Sequence, residues 1–190
     1  QDVGPAVDLA IRRYTRAVER GIGPSKLKDA IPIELFEDKL SPPKKEDIKK
    51  IPNKECLWPA ALFVLGAWWM LRGIELSAAR MDHVSLDDEA MTETWTLPAS
   101  KTDTQAMGAA RTHKCRCPED AEGGMKTCPY HLMLEYLQML TETFPQTTTE
   151  GSFPLFPARD GTALSKKATA EAVRMAATTA GVPLTRQIDS

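Results

Sequence analysis

Cys115, Cys117, Cys128 and His131 form the spacing C-x-C-x10-C-x2-H, with His113 just upstream. Three thiolates and one imidazole are the donor set of a closed tetrahedral zinc site, which would clip the chain before an acidic loop to the helix after it. C-x-C is less usual than C-x-x-C for structural zinc, so buried or unligated thiols stand as the alternative. Cys56 reads as an ordinary core residue. With no signal-peptide pattern at Gln1 onward, thiols rather than disulfides are expected, in an intracellular setting.

A second group is cationic. Arg72 closes a long apolar stretch and is followed by Glu75. A guanidinium at the end of a buried helix is costly unless it pairs or meets an anion, which leaves two readings. In one, Arg72 and Glu75 form a pair that only joins two helices; in the other, Glu75 orients an anion-binding arginine. Lys101 lies in the polar connection after a strand-like run, where a solvated hairpin lysine is the common case. Arg12, Arg13 and Arg16, with Arg20, line the polar face of an N-terminal helical pattern, either as a solvated face or as a surface for DNA phosphates.

These residues must be positioned by the elements around them. The formal net charge over 190 residues is −2. Residues 1–54 carry 12 Lys+Arg against 9 Asp+Glu, and residues 55–190 carry 12 against 17. That balance opposes any nucleic-acid reading, because phosphate contacts dominate affinity and need local positive potential. The longest uncharged run, residues 56–71, is interrupted by Pro59 and falls short of the roughly 20 residues that span a membrane. A buried core helix is expected there, and no membrane role.

Val7, Ile11, Tyr14 and Val18 recur at helical spacing, predicting an amphipathic helix over residues 5–20. Residues 21–54 hold five prolines and a Lys-rich run, which suits a linker with short helical turns. Apolar residues on every face over 57–80 predict a central core helix, or two that meet near Gly73. Residues 83–86 and 92–97 read as antiparallel strands around an acidic turn, and residues 109–113 as a third. Pro129 starts a helix that ends before Pro145, and residues 151–158 form an apolar loop that packs through Phe153, Leu155 and Phe156. Ser165 caps a last helix running to Ala180, stopped by Gly181 and Pro183. The fold class is α+β: mainly helical with a small three-stranded antiparallel sheet.

Taken in order, these features resemble the tyrosine recombinases, the phage-integrase family. Arg72, Glu75 and Leu76, followed by Asp82 and Val84, are similar to that family's Gly-x-Arg-x-x-Glu-Leu helix junction and strand start. Lys101 sits in residues 97–103, where the family carries a lysine between its second and third strands. Cys128-Pro129, Pro154-Leu155-Phe156-Pro157, residues 161–165 and Ala180-Gly181-Val182 are similar to mobile-element members. The resemblance covers residues 55–183 and divides the chain into a basic helix with a Pro/Lys-rich linker, 1–54, and a partial integrase-like catalytic domain, 55–190.

The resemblance implies DNA integration or recombination by metal-free transfer of a phosphate to a tyrosine hydroxyl. Arg72 would neutralise non-bridging oxygens, Glu75 would orient it, and Lys101 would act as general acid toward the leaving oxygen. The family's His-x-x-Arg and nucleophilic tyrosine have no counterpart through Ser190, and Tyr14, Tyr130, Tyr136 and Arg186 are left without a catalytic role. The chain by itself is therefore expected to contact duplex DNA without cutting it, as a homo-oligomer on the DNA, and in the nucleus of a eukaryotic host. Catalysis would require no cofactor, and zinc would be structural. The rival expectations are a zinc-stabilised interaction or DNA-binding module without catalysis, and an inert recombinase-derived remnant.

Overall fold

The computed structural model describes residues 7, 11, 31–97, 108–118, 124–145 and 151–182, in two compact units that divide between Ala30 and Ile31. In the first unit Val7 and Ile11 are helical, as the spacing predicts, and their side chains are exposed. Arg12, Arg13 and Arg16 lie outside the described residues, as do Lys101 and Arg186.

The second unit is α+β. Its described helices are α1 (Lys45–Ile48), α2 (Pro59–Trp68), α3 (Gly73–Ser77), α4 (Pro129–Thr143) and α5 (Lys166–Thr179). Its strands are β1 (Val84–Asp87), β2 (Thr92–Leu97) and β3 (Ala109–Lys114), antiparallel in the order β1-β2-β3. Val84 pairs with Trp95 across the first ladder, and Glu93 with His113 across the second. The apolar run 57–80 divides into α2 and α3, as the glycine signal allows.

Residues 31–54 depart from the linker expectation. Phe36 and Leu40 are fully buried and Ile48 nearly so, all within the main core. Prolines at 32, 42, 43 and 52 keep this segment out of long helices, yet its apolar side chains find the core, each contributing about 1.5–3 kcal/mol.

Polar residues are almost absent from α2, and the helix buries Ala60, Ala61, Leu62, Val64, Leu65 and Gly66 against α4, α5 and the turn Ile33–Phe36, with Leu76 of α3 close to Gly66. Pro59 occupies its first position, where a missing N–H costs nothing. A chain of rings extends this core into the sheet. His113 lies against Trp69 at 4.6 Å between centroids, Trp69 against Trp95 at 5.8 Å, Trp95 against Phe156 at 6.1 Å and Phe156 against Tyr136 at 5.4 Å. Phe153, Leu155 and Phe156 are buried as the sequence predicts, and the backbone pairs Met81 N to Phe153 O and Leu155 N to Ala79 O hold their loop, both at 2.9 Å.

Two termini share one geometry with different residues. At the end of α2, Leu71 N donates to Gly66 O and Met70 N to Ala67 O. At the end of α5, Val182 N donates to Ala177 O and Gly181 N to Thr178 O. Both are Schellman turns, which put one residue in the left-handed region. Gly181 adopts φ 76° without a Cβ to clash, whereas Met70 adopts φ 52° with one. Met70 is 75% exposed, so no burial of its own compensates.

One feature opposes the fold. Glu93 is fully buried on β2, and among the described residues neither carboxyl oxygen has a hydrogen-bond partner. Burial pushes its pKa up to about 9 from 4.5, so the carboxyl is held neutral at pH 7.

Met70→Gly removes the left-handed strain and is expected to raise stability by about 1 kcal/mol. At roughly 2–4 °C per kcal/mol for a chain of this size, thermal melting reads this as a higher Tm; an unchanged or lower Tm means the turn is unstrained. For Glu93 the folded state keeps a proton that the unfolded state releases above its own pKa. Its stability contribution is therefore present below pH 4.5 and is lost as pH rises toward about 9. Glu93→Gln is expected to match the parent near pH 4.5 and exceed it at pH 8.5, by up to ~1.4 kcal/mol for each pH unit crossed. Parallel pH dependences of urea unfolding for the two proteins would contradict it.

Candidate functional site

β3 leads directly into the thiol cluster, and α4 closes it. Cys115 N donates to Met91 O at 2.8 Å, which extends the β2–β3 ladder by one step and fixes Cys115 beside the sheet. Cys128 is the N-cap of α4, and with Pro129 fixing the next residue its sulfur is set at the helix start. His131 follows one turn later on the same helix.

The fold brings all four predicted ligands together. Their donor atoms lie within 4.8 Å of one another. Cys128 Sγ is 3.7 Å from Cys115 Sγ, and His131 Nδ1 is 3.6 Å from Cys115 Sγ and 3.2 Å from Cys117 Sγ. A tetrahedron built on zinc–sulfur bonds of about 2.3 Å and a zinc–nitrogen bond of about 2.0 Å has edges of about 3.8 Å and about 3.5 Å, close to these separations. Each sulfur also accepts a backbone N–H: Cys115 from Cys117 at 3.4 Å, Cys117 from Met125 at 3.0 Å and Cys128 from Arg116 at 3.3 Å. Such donors stabilise thiolates, as metal ligation requires.

Without a cation the sulfurs oppose one another. Burial and the neighbouring Cys115 and Cys128 sulfurs push the Cys117 thiol up to about 12. Burial also acts to raise Cys115, but the Cys117 N–H and the adjacent thiols outweigh it and bring Cys115 below its ordinary value. A divalent ion would remove the mutual repulsion that keeps the group from ionising together. Gly124 completes the enclosure: with φ 73°, its backbone passes where a Cβ would stand 3.1 Å from Cys117 Sγ and 3.2 Å from His131 Nδ1.

Sequence reading misses the tie that holds this loop from the other side. Glu37 accepts hydrogen bonds from Lys126 N at 2.7 Å, from Thr127 N at 3.0 Å and from the Thr127 hydroxyl. Burial acts to raise its pKa, yet these donors together hold the carboxyl below its ordinary value. Nothing local in residues 34–38 signals this, because the partners are about 90 positions away. Trp68 Nε1 adds a bond to Thr127 O at 2.8 Å. His113, close to the ligands in sequence, points elsewhere and packs against Trp68 and Trp69.

The basic corner lies at the end of α2. Arg72 is 55% exposed, not buried, because the Schellman turn has already carried the chain out of the core. The expected burial cost of its charge therefore does not arise. Glu75 accepts the Arg72 backbone N–H at 2.7 Å, while the two charged groups stand 3.9 Å apart. Glu75 thus serves mainly as the cap of α3 and only loosely pairs the guanidinium.

Arg111, which the sequence reading did not single out, reaches the same turn from β3, its Nη1 donating to Trp69 O at 3.5 Å. The Trp69 carbonyl that accepts from Arg111 lies three residues before Arg72 in the chain. Asp82, at the expected strand start, is held by Arg80 through bonds of 3.0 and 2.8 Å. Both described tyrosines have structural places: Tyr130 donates to Asp88 at 2.8 Å, and Tyr136 is fully buried, which raises its pKa well above the ordinary value.

No helix among the described residues is long and apolar enough to cross a membrane. No family model, curated protein or solved structure matches the chain.

Proposed function

We propose that this chain is the DNA-contacting front part of a tyrosine-recombinase-like domain, with a structural zinc held by Cys115, Cys117, Cys128 and His131. The observation that carries the DNA reading is that the Arg72 side chain is exposed at the start of α3, with Glu75 occupied by a backbone N–H and Arg111 bonded to the Trp69 carbonyl three residues earlier. A guanidinium so placed can approach a phosphate from solvent and give charge-assisted, bidentate hydrogen bonds to its non-bridging oxygens. Glu75 fixes the backbone from which Arg72 projects. Lys101, outside the described residues, would supply the proton to a leaving oxygen as the resemblance implies.

No nucleophile is assigned, since Tyr130 and Tyr136 are both engaged in the fold. The role proposed for these residues is phosphate binding and positioning. Homo-oligomerisation on duplex DNA and a nuclear location in a eukaryotic host belong to the same proposal. Zinc would supply cross-linking here rather than chemistry at a substrate, because four protein donors leave no open position.

Arg72→Ala is expected to weaken binding to duplex DNA about five- to tenfold at low salt and to lower the salt-dependence slope by about one. Fluorescence anisotropy across a salt series measures both. Unchanged affinity for Arg72→Ala and Arg111→Ala together would remove the DNA reading and favour an interaction module built on the same clip.

The zinc reading has its own measurement. The protein is expected to carry stoichiometric zinc, and its removal by a chelator costs roughly 3 kcal/mol, the value of closing a loop of this length. The ring-lined core is separate from Cys115, Cys117 and His131, so far-UV circular dichroism should largely persist while Tm falls by roughly 10 °C. A chelator-treated protein with the same Tm as the metal-treated one would remove zinc from the structure.

A further inference from the structure

We propose that the Cys115–Cys128 pair is a thiol switch as well as half of the metal clip: a hydroperoxide oxidises the two sulfurs to a disulfide and expels the zinc. This inference rests on the zinc reading above. Cys128 Sγ and Cys115 Sγ are 3.7 Å apart, and closing to the disulfide length of about 2.05 Å is a movement of side-chain scale. Cys117 lies nearer His131 Nδ1 than Cys115 does, at 3.2 Å against 3.6 Å, and its sulfur accepts the shortest of the three backbone bonds, 3.0 Å from Met125 N. Cys115 is half-buried and so within reach of a small oxidant, while Cys128 is buried at the start of α4. That order suits an attacking thiolate in front and a resolving thiolate within reach.

The chemistry balances with hydrogen peroxide as oxidant. The Cys115 thiolate attacks one peroxide oxygen, forming a sulfenic acid and releasing hydroxide as the O–O bond breaks. The Cys128 thiolate then attacks that sulfur, forming the S–S bond and releasing a second hydroxide. Each sulfur loses one electron, the peroxide gains two, and solvent protons convert both hydroxides to water. Two of the four donors are then lost, and the zinc leaves to solvent. The disulfide still ties the end of β3 to the start of α4, whereas Cys117 and His131 are set free.

The test uses the full zinc-loaded chain, hydrogen peroxide, a chromogenic zinc chelator to follow release, and mass spectrometry to map the sulfurs. Expected are stoichiometric zinc release, loss of two hydrogens per chain mapped to Cys115–Cys128, and restoration by dithiothreitol with added zinc. Cys117→Ser should form the same disulfide. Cys128→Ser should stop at a sulfenic acid on Cys115 that dimedone traps, and if that variant does not fold, the wild-type map decides alone. Zinc retained under peroxide, a Cys115–Cys117 pairing, or sulfinic acid on Cys115 would overturn the switch and leave the zinc reading standing. A chain that holds no zinc after reduction and titration with the metal would remove both.

Discussion

Trp69 is almost fully buried and Met70, the next residue, is largely exposed. That single step sets much of the molecule. The indole has to stay in the ring-lined core, against Trp95 from the sheet and His113 from β3, because withdrawing it would open a cavity costing about 3–5 kcal/mol. The chain must therefore leave the core within one residue, and a Schellman turn is the way a helix does so. The left-handed Met70 is the conformational cost of that exit. Arg72 reaches solvent as its direct result, and the Trp69 carbonyl becomes available to Arg111.

β3 poses the opposite problem. Most of its residues are exposed, so apolar burial does little to hold it against β2. What anchors its end is polar: the Cys115–Met91 backbone bond, the donors around the three sulfurs, and the four-way convergence with His131 on α4. Glu37 restrains the loop before Cys128 from the other side, using a carboxylate to satisfy three donors at once. A strand with little apolar surface is where a metal cross-link contributes most, because ordering it otherwise yields little burial to offset the lost entropy. Regulating that cross-link by thiol oxidation would act on a mostly exposed strand end and spare the apolar core.

Glu93 breaks the pattern of agreement between sequence and fold. A neutral carboxylic acid on the inward face of a sheet is destabilising, yet its cross-strand partner His113 leads two residues later into the thiol cluster. The strand alternation that puts Trp95 in the core also puts Glu93 there, since side chains two apart share a face. Moving Glu93 outward by a register slip would expose Trp95, which is the larger loss.

The sequence alone determined the fold class, an apolar core run that permits a break near Gly73, the three strands, the buried loop 151–158 and the four members of the thiol cluster. These follow from local periodicity, proline and glycine punctuation, and donor types at ligand spacing, all of which act over a few residues. Tertiary structure alone decided that residues 31–54 belong to the core, that Arg72 is exposed, that Glu75 caps rather than neutralises, and that Arg111 and Glu37 matter. Each of those depends on which distant surfaces are already filled: a proline-rich segment is buried only if a groove awaits its Phe36 and Leu40, and a carboxylate finds donors about 90 residues away only after the core has placed them. Local spacing carries no record of that competition for space.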